Sequence, residues 1–324
     1  CGKATANGIC AQALVREFEN QRTTVYVISF DSESVTTTSE KIISIYNPPN
    51  ENLKRSYNIV SKIGRFSKSV LFHTWTPKYN KNIVEQIVKE ANRIFNEVEI
   101  DAVICIYFPI ESIIAAHQLK KRYRHFELIV YELDSVADGI AGGLKGNKRI
   151  LFSYKRYLSY LYKKADLILV QECHKIHWMK EHLRHQSKMR VVDLPLLCFS
   201  NLPNIEKNNT CTTFLYAGTL SPVYRSPNKL LQVFENISHQ LSYELIFFSK
   251  GCDDILQNAV KNDNSIVYRG YVEQSVLENE IARSDVLLSI GNAISNSLPS
   301  KIIVYMTYCK PIIHFCLKEN DVCE

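Results

Sequence analysis

Apolar positions along the chain alternate between two periods. Short runs rich in β-branched and aromatic residues predict strands at Thr24–Phe30, Lys41–Tyr46, Ser69–Trp75, Asp101–Phe108, Phe126–Leu133, Asp166–Val170 and Arg190–Asp193. Helical spacing separates most of them. Ile83, Ile87, Ala91 and Ile94 recur along Asn82–Phe95. Tyr154, Leu158, Leu161 and Ala165 form one stripe of Phe152–Ala165, with Lys155, Arg156 and Lys163 away from it. Periodicity is lost over Leu194–Thr212, where Pro195, Pro203 and the polar run Asn204–Thr210 read as a linker. A second alternation then places strands at Thr213–Ala217, Tyr243–Ser249, Ser265–Arg269, Val286–Ile290 and Pro311–Phe315. Its helices fall at Asn228–His239, Asp253–Val260, Glu273–Arg283 and Ser300–Tyr308. The pattern predicts an α/β protein with two doubly wound domains, residues 1–195 and 213–324, joined by 196–212. Such a pair leaves a cleft between its strand C-termini, where open α/β sheets bind ligands.

Composition narrows the class. With 46% apolar and 22% charged residues, the chain is neither disordered nor fibrous. A net charge of +6 over 324 residues is too weak for a nucleic-acid binder. The longest apolar run, Ala102–Ala116, is broken by Pro109 and Glu111 and falls short of a membrane span. Ten cysteines without a CxxC pair read as free thiols in a reducing compartment, so the expected location is the cytoplasm. The first residues carry no charged-then-apolar leader. The opening CGKATANGIC and the closing CLKENDVCE read as cut ends, so a fragment truncated at both ends is expected.

Candidate chemistry gathers where the later strands end. The first leads into Gly218 and then Arg225, just before the helix opened by Pro227-Asn228-Lys229. Glycine allows close backbone approach, a helix start offers free N–H groups, and a guanidinium can fork onto phosphate. Lys250 closes the second strand. Gly270, Tyr271 and Val272 follow the third, where an aromatic beside open backbone could pack a nucleobase. Gly291 and Asn292 follow the fourth. Ser300 and Lys301 open the last helix, and a cation in a first turn opposes the helix dipole unless it serves an anion. Singly, each reads equally well as an ordinary solvated loop. Together they outline a site for a diphosphate attached to a base and sugar.

The segment Phe214–Phe315 resembles the donor-binding domain of a GT-B glycosyltransferase, nearest to glycosyltransferase family 4. The carrying motifs are YAGTL with Arg225-Ser-Pro, RGYV, ARSDVLLSIGN and PSKIIVYMTYCKPII. NGICAQALVREFENQRTTVYVIS resembles the family's acceptor-side opening. The resemblance implies two Rossmann-like domains and a retaining, metal-independent transfer of a sugar from a nucleotide-diphosphate donor. The acceptor implied is a glycan or lipid-linked glycan, in cell-surface polysaccharide synthesis. No cofactor and no metal site are expected. By the same resemblance Arg225 and Lys301 hold the diphosphate, the loops at Gly270–Val272 and Gly291-Asn292 line base and sugar, and Asn7 and Gly8 lie in an opening loop on the acceptor side. Two departures stand out. Asn296 and Val304 occupy the family's Glu-x7-Glu positions, and Cys309 replaces its glycine before Lys-Pro. Val304 cannot bond a ribose, which raises the alternative of a degenerate pseudo-enzyme acting as partner of an active transferase. In the first domain Asp134, after the strand Phe126–Leu133, is the candidate polar catalytic residue, with a turn or helix cap as the plainer reading.

Other signals are weaker. His174, His177, Glu181 and His185 share a helical stripe that reads as the solvated side of an amphipathic helix rather than as a metal site. Lys120–Arg124 and the Phe152–Lys164 helix are basic and aromatic-rich, so contact with anionic lipid at the inner face of a membrane competes there with ordinary solvated helix faces. The GxGxxG and GxxxxGK[ST] patterns are both missing, against a dinucleotide oxidoreductase or a P-loop enzyme.

Overall fold

A computed structural model of the chain describes residues 6–31, 42–46, 79–107, 109–133, 148–175, 183–196, 211–293 and 298–319. The strand expected at Ser69–Trp75 lies outside them. Contacts divide the chain into two compact units, Cys1–Asp193 and Leu194–Glu324.

In the first unit, helix α1 (Ala6–Asn20) precedes the parallel pair β1 (Val27–Asp31) and β2 (Ile42–Tyr46). Helix α2 (Lys81–Glu97) starts at Asn80, whose side chain accepts from the Asn82 and Ile83 N–H groups. β3 (Ala102–Tyr107), β4 (Glu127–Glu132), β5 (Leu167–Val170) and β6 (Met189–Val191) form a four-stranded parallel sheet in that order. The broken apolar run after β3 is α3 (Ile110–Arg122). Pro109 cannot continue a strand interior but suits a helix entry, so the break marks the start of an element. α4 (Lys148–Tyr162) buries Tyr154, Leu158, Leu161 and Tyr162 in the same core as Ile83, Ile87, Ile114 and Val130.

The second unit is a five-stranded, all-parallel sheet. Its strands are β7 (Thr212–Thr219), β8 (Tyr243–Lys250), β9 (Ile266–Tyr268), β10 (Val286–Ile290) and β11 (Ile312–Phe315). Between them run α5 (Asn228–Ile237), α6 (Asp253–Asn262), α7 (Gln274–Arg283) and α8 (Lys301–Met306). The spatial order is β11-β10-β7-β8-β9. The chain therefore builds outward on one side of β7, then crosses to the other side at β10. Apolar clusters lie on both faces of this sheet, one around Phe214, Leu230, Phe247 and Leu288, the other around Leu215, Ile246, Ile281 and Tyr305. Strands buried on both faces read as continuous apolar runs.

The two units fix strand entry by the same device. Asp166, ahead of β5, accepts from the Leu128 N–H at 2.8 Å, and Asp285, ahead of β10, accepts from the Thr213 N–H at 2.9 Å. Lys188 donates to the Ala165 carbonyl ahead of β5, and Lys310 donates to the Ala282 carbonyl ahead of β10. Each carboxylate satisfies a strand-edge donor, and each ammonium takes carbonyls left over at a helix end.

Candidate functional site

Because all five strands of the second unit are parallel, every loop that follows one opens on the same edge. The order reverses between β7 and β10, and a sheet of this kind opens its crevice there. Pairing of β7 with β10 stops at Tyr216 opposite Leu288, whereas β7 with β8 continues to Thr219 opposite Lys250. Beyond Tyr216 the β10 side of β7 lacks a strand partner.

Two side chains occupy that gap. Tyr305 of α8 accepts from the Ala217 N–H at 2.7 Å and donates to the Ala217 carbonyl at 3.1 Å. Its hydroxyl replaces the missing strand, and it ties α8 to the opening. Burial pushes its phenol far above the usual range, so it stays a neutral donor. Above it, Arg225 donates Nε and Nη2 to Asn292 Oδ1 at 3.0 and 2.6 Å, and Nη1 to the Thr219 carbonyl at 3.4 Å. A pair of backbone bonds between Ser221 and Arg225, each 3.0 Å, folds the loop after β7 back on itself, and Ala293 donates to the Tyr224 carbonyl. The loops after β7 and β10 are thus stitched together around one guanidinium. Tyr216 lies beneath it. Burial raises its phenol to about 12, opposed by Arg225.

Lys301 opens α8 one turn before Tyr305, on the same sheet edge. Among the described residues no hydrogen bond or ion pair holds its ammonium. Burial lowers its pKa below the lysine norm, opposed by Glu278. A desolvated cation beside a strand-order reversal favours an anion. No group of three or more His, Cys, Asp or Glu among the described residues could hold a metal ion.

No family model matches the chain, and no curated protein matches it in sequence. Solved structures do match in shape. The lipopolysaccharide outer core galactosyltransferase WaaB, in its apo form, aligns with a TM-score of 0.54 at 17% identity, over 97% of this chain and 78% of that one. The N-terminal domain of trehalose-6-phosphate phosphatase from Candida albicans aligns with a TM-score of 0.57 at 11% identity, over 96% of this chain and 79% of that one. The fold is GT-B. At identities this low the likeness concerns architecture, and activity rests on the site itself.

Within the GT-B fold the expected residues separate into groups. Arg225 and Asn292 meet directly: Asn292 is buried and its carbonyl oxygen accepts from Arg225. Gly218 leaves room for the protein's own Tyr216 hydroxyl, which a Cβ there would meet at 3.1 Å. Lys250, the last residue of β8, and Tyr271, on the loop after β9, are exposed, Tyr271 at 72%. Gly270 has φ +68 and needs glycine for its backbone alone. Val272 is partly buried against the core, as is Val304, and both pack against the cluster that contains Leu215, Ile246 and Tyr308. Gly291 is buried and donates to the Phe315 carbonyl, and Ser300 precedes α8 without capping it. Cys309 has φ 52, a left-handed conformation that favours glycine. Asp134 and Asn296 lie outside the described residues. Asn7 and Gly8 were expected in a loop, but they belong to the first turn of α1, because the helical pattern starts at Ala6. The solvated histidine stripe is also corrected. His174 and His185 are buried, and His185 Nε2 lies 3.0 Å from both the Ser159 hydroxyl and the Ser159 carbonyl.

One residue went unread in the sequence. Lys318 follows β11 on the same edge, and its enclosed Nζ has no hydrogen-bond partner among the described residues. Its neighbours place it toward α5. Lys229 at the start of α5 donates to the Cys316 carbonyl at 2.7 Å, and Leu317 packs against the core cluster that includes Leu220 and Leu230. The signal that marks it in the sequence is a cation three residues past the end of the last strand at Phe315.

Proposed function

We propose that this chain is a glycosyltransferase that takes a nucleotide-diphosphate sugar as donor and passes the sugar to a glycan or lipid-linked glycan. The observation that carries the reading is Arg225 fixed on Asn292 at the strand-order reversal of a GT-B sheet, with Lys301 opening the adjacent helix. A leaving diphosphate develops negative charge as the sugar–oxygen bond breaks. Cations already held in place stabilise that charge without reorganising. Arg225 supplies a directional fork, Lys301 a desolvated point charge, and Lys318 a further enclosed ammonium on the same edge. Tyr271, exposed two strands from the reversal, offers a face for the base. In this proposal charge neutralisation comes from side chains, the transfer retains anomeric configuration, and turnover is unchanged by chelators.

The test is a donor screen read by release of nucleoside diphosphate, with calorimetric titration of the same nucleotides. Arg225→Ala is expected to lower turnover by about 30- to 1,000-fold, corresponding to about 2–4 kcal/mol of transition-state stabilisation. Absence of binding by any nucleoside diphosphate at millimolar concentration refutes the donor site. Binding without turnover on any acceptor refutes the transferase.

A further inference from the structure

Charge is distributed very unevenly in the first unit. Residues 117–125 and 148–164 hold ten Lys and Arg and no Asp or Glu, while the whole chain carries +6, so the remainder (+6 less +10) is −4. The fold brings these two stretches together. His117 Nδ1 of α3 lies 3.2 Å from the Leu161 carbonyl of α4, and Lys121 Nζ donates to the Tyr160 hydroxyl at 3.0 Å. The short 3-10 helix Leu183–Lys188 joins the same surface, fastened to α4 through His185 on Ser159 and Lys188 on the Lys163 carbonyl. His117 feels Lys121 and Lys164, and His185 feels Lys188, Lys163 and Arg184, so the cations of three elements act on one region. Of the ten, one is offset by a flanking acid among the described residues. Asp166 is paired with Lys120 at 2.7 Å, and Glu127 sits at the start of β4.

This surface also exposes apolar side chains. Phe152 is 67% exposed, Leu183 63% and Tyr160 44%. On α4, Phe152, Arg156 and Tyr160 follow at helical spacing along one stripe, continued by Lys163 in the turn just after the helix, opposite the buried Tyr154, Leu158 and Leu161. The outer side of α4 therefore alternates ring and cation, and its inner side is core.

We infer that the outer face of α4, with Leu183 beside it, docks on a bilayer that contains anionic lipid. Lipid phosphates match the cations. The acyl boundary rewards Phe152 and Leu183, which a soluble polyphosphate would leave in water. Lys and Arg stems can lie along the boundary with their charges among the headgroups. Docking at this face brings the chain to membrane-borne substrates, but it does not depend on the transferase reading.

The test is flotation of the full chain with vesicles of phosphatidylcholine alone, or of phosphatidylcholine with phosphatidylglycerol at a 7:3 ratio. The chain is expected to float with the anionic vesicles and not with the neutral ones. Raising salt from 0.05 to 1 M, where the Debye length shrinks to about 3 Å, should weaken binding at least tenfold. Each cation near an anionic surface is worth roughly a fivefold change in partitioning, so Lys163→Ala with Lys164→Ala should lower it about 25-fold. Phe152→Ser should lower it by about tenfold. Lys163→Arg with Lys164→Arg should retain binding, and equal thermal unfolding of the variants separates docking from folding. Failure to float with anionic vesicles at 0.05 M salt overturns the inference, as does equal flotation with neutral ones. Full binding by Phe152→Ser, together with displacement by heparin or polyuridine, would assign the face to a soluble polyanion and overturn it too.

Discussion

Removing one hydroxyl gives a sharp measure of how the opening at the strand-order reversal is built. Tyr305→Phe keeps the ring, and therefore the packing of α8 against Leu215 and Ile246, and deletes only the oxygen. That oxygen serves both the Ala217 N–H and the Ala217 carbonyl, in a residue that is 2% exposed, where the pairing of β7 with β10 has already ended. A buried backbone group left without a partner costs about 1–3 kcal/mol, an unpaired N–H more than an unpaired carbonyl. Relief from burying the hydroxyl itself offsets part of this, leaving about 2–4 kcal/mol. For a unit of this size that lowers Tm by roughly 10 °C. Scanning calorimetry is the assay, and the transition that includes the second unit is the one expected to move. The same variant should bind nucleoside diphosphate more weakly, since α8 carries Lys301 one turn from the lost anchor. A stability change below about 0.5 kcal/mol would mean that water or a strand shift satisfies Ala217, and the account of the opening would fail.

The other predictions concern backbone and charge. Gly251→Ala should cost about 3 kcal/mol or more in denaturant melts, because φ is +88 and a Cβ would lie 2.5 Å from the Leu220 carbonyl oxygen. Gly270→Ala, with φ +68 and open space around it, should cost only about 1 kcal/mol, and equal costs would refute the steric argument. Cys309→Gly should stabilise the second unit by up to about 1 kcal/mol, since relief of the left-handed backbone at φ 52 exceeds the added freedom of the unfolded chain. A loss of stability there would show that the thiol itself matters. Nucleoside diphosphate affinity should fall as pH rises through the lowered Lys301 value. The free protein then loses the ammonium that the ligand needs, and binding should take up a proton, read as a calorimetric enthalpy that varies with buffer. The Lys301→Arg protein should not share this fall, and an unchanged pH profile in it would count against the assignment.

Much of this protein was determined along the chain. Apolar periodicity alone set the alternation of strands and helices, because buried parallel strands must be continuously apolar and the helices between them must carry one apolar stripe. It also showed that the cations and glycines after the second unit's strands would fall on one edge, since parallel connections return every strand in the same direction. The helix after Pro109 was hidden because a buried helix and a buried strand look alike over a short apolar run. Only the tertiary structure decided how the residues on that edge divide their work. No spacing rule links Arg225 to Asn292, 67 residues apart. They meet because β10 crosses over to lie beside β7. Nor could the sequence reveal that Tyr305 stands in for a missing strand, that Val304 faces core, or that His174 and His185 are buried. Local pattern reports which side of an element avoids water. Which element lies against that side is settled by long-range packing, and the site was made there.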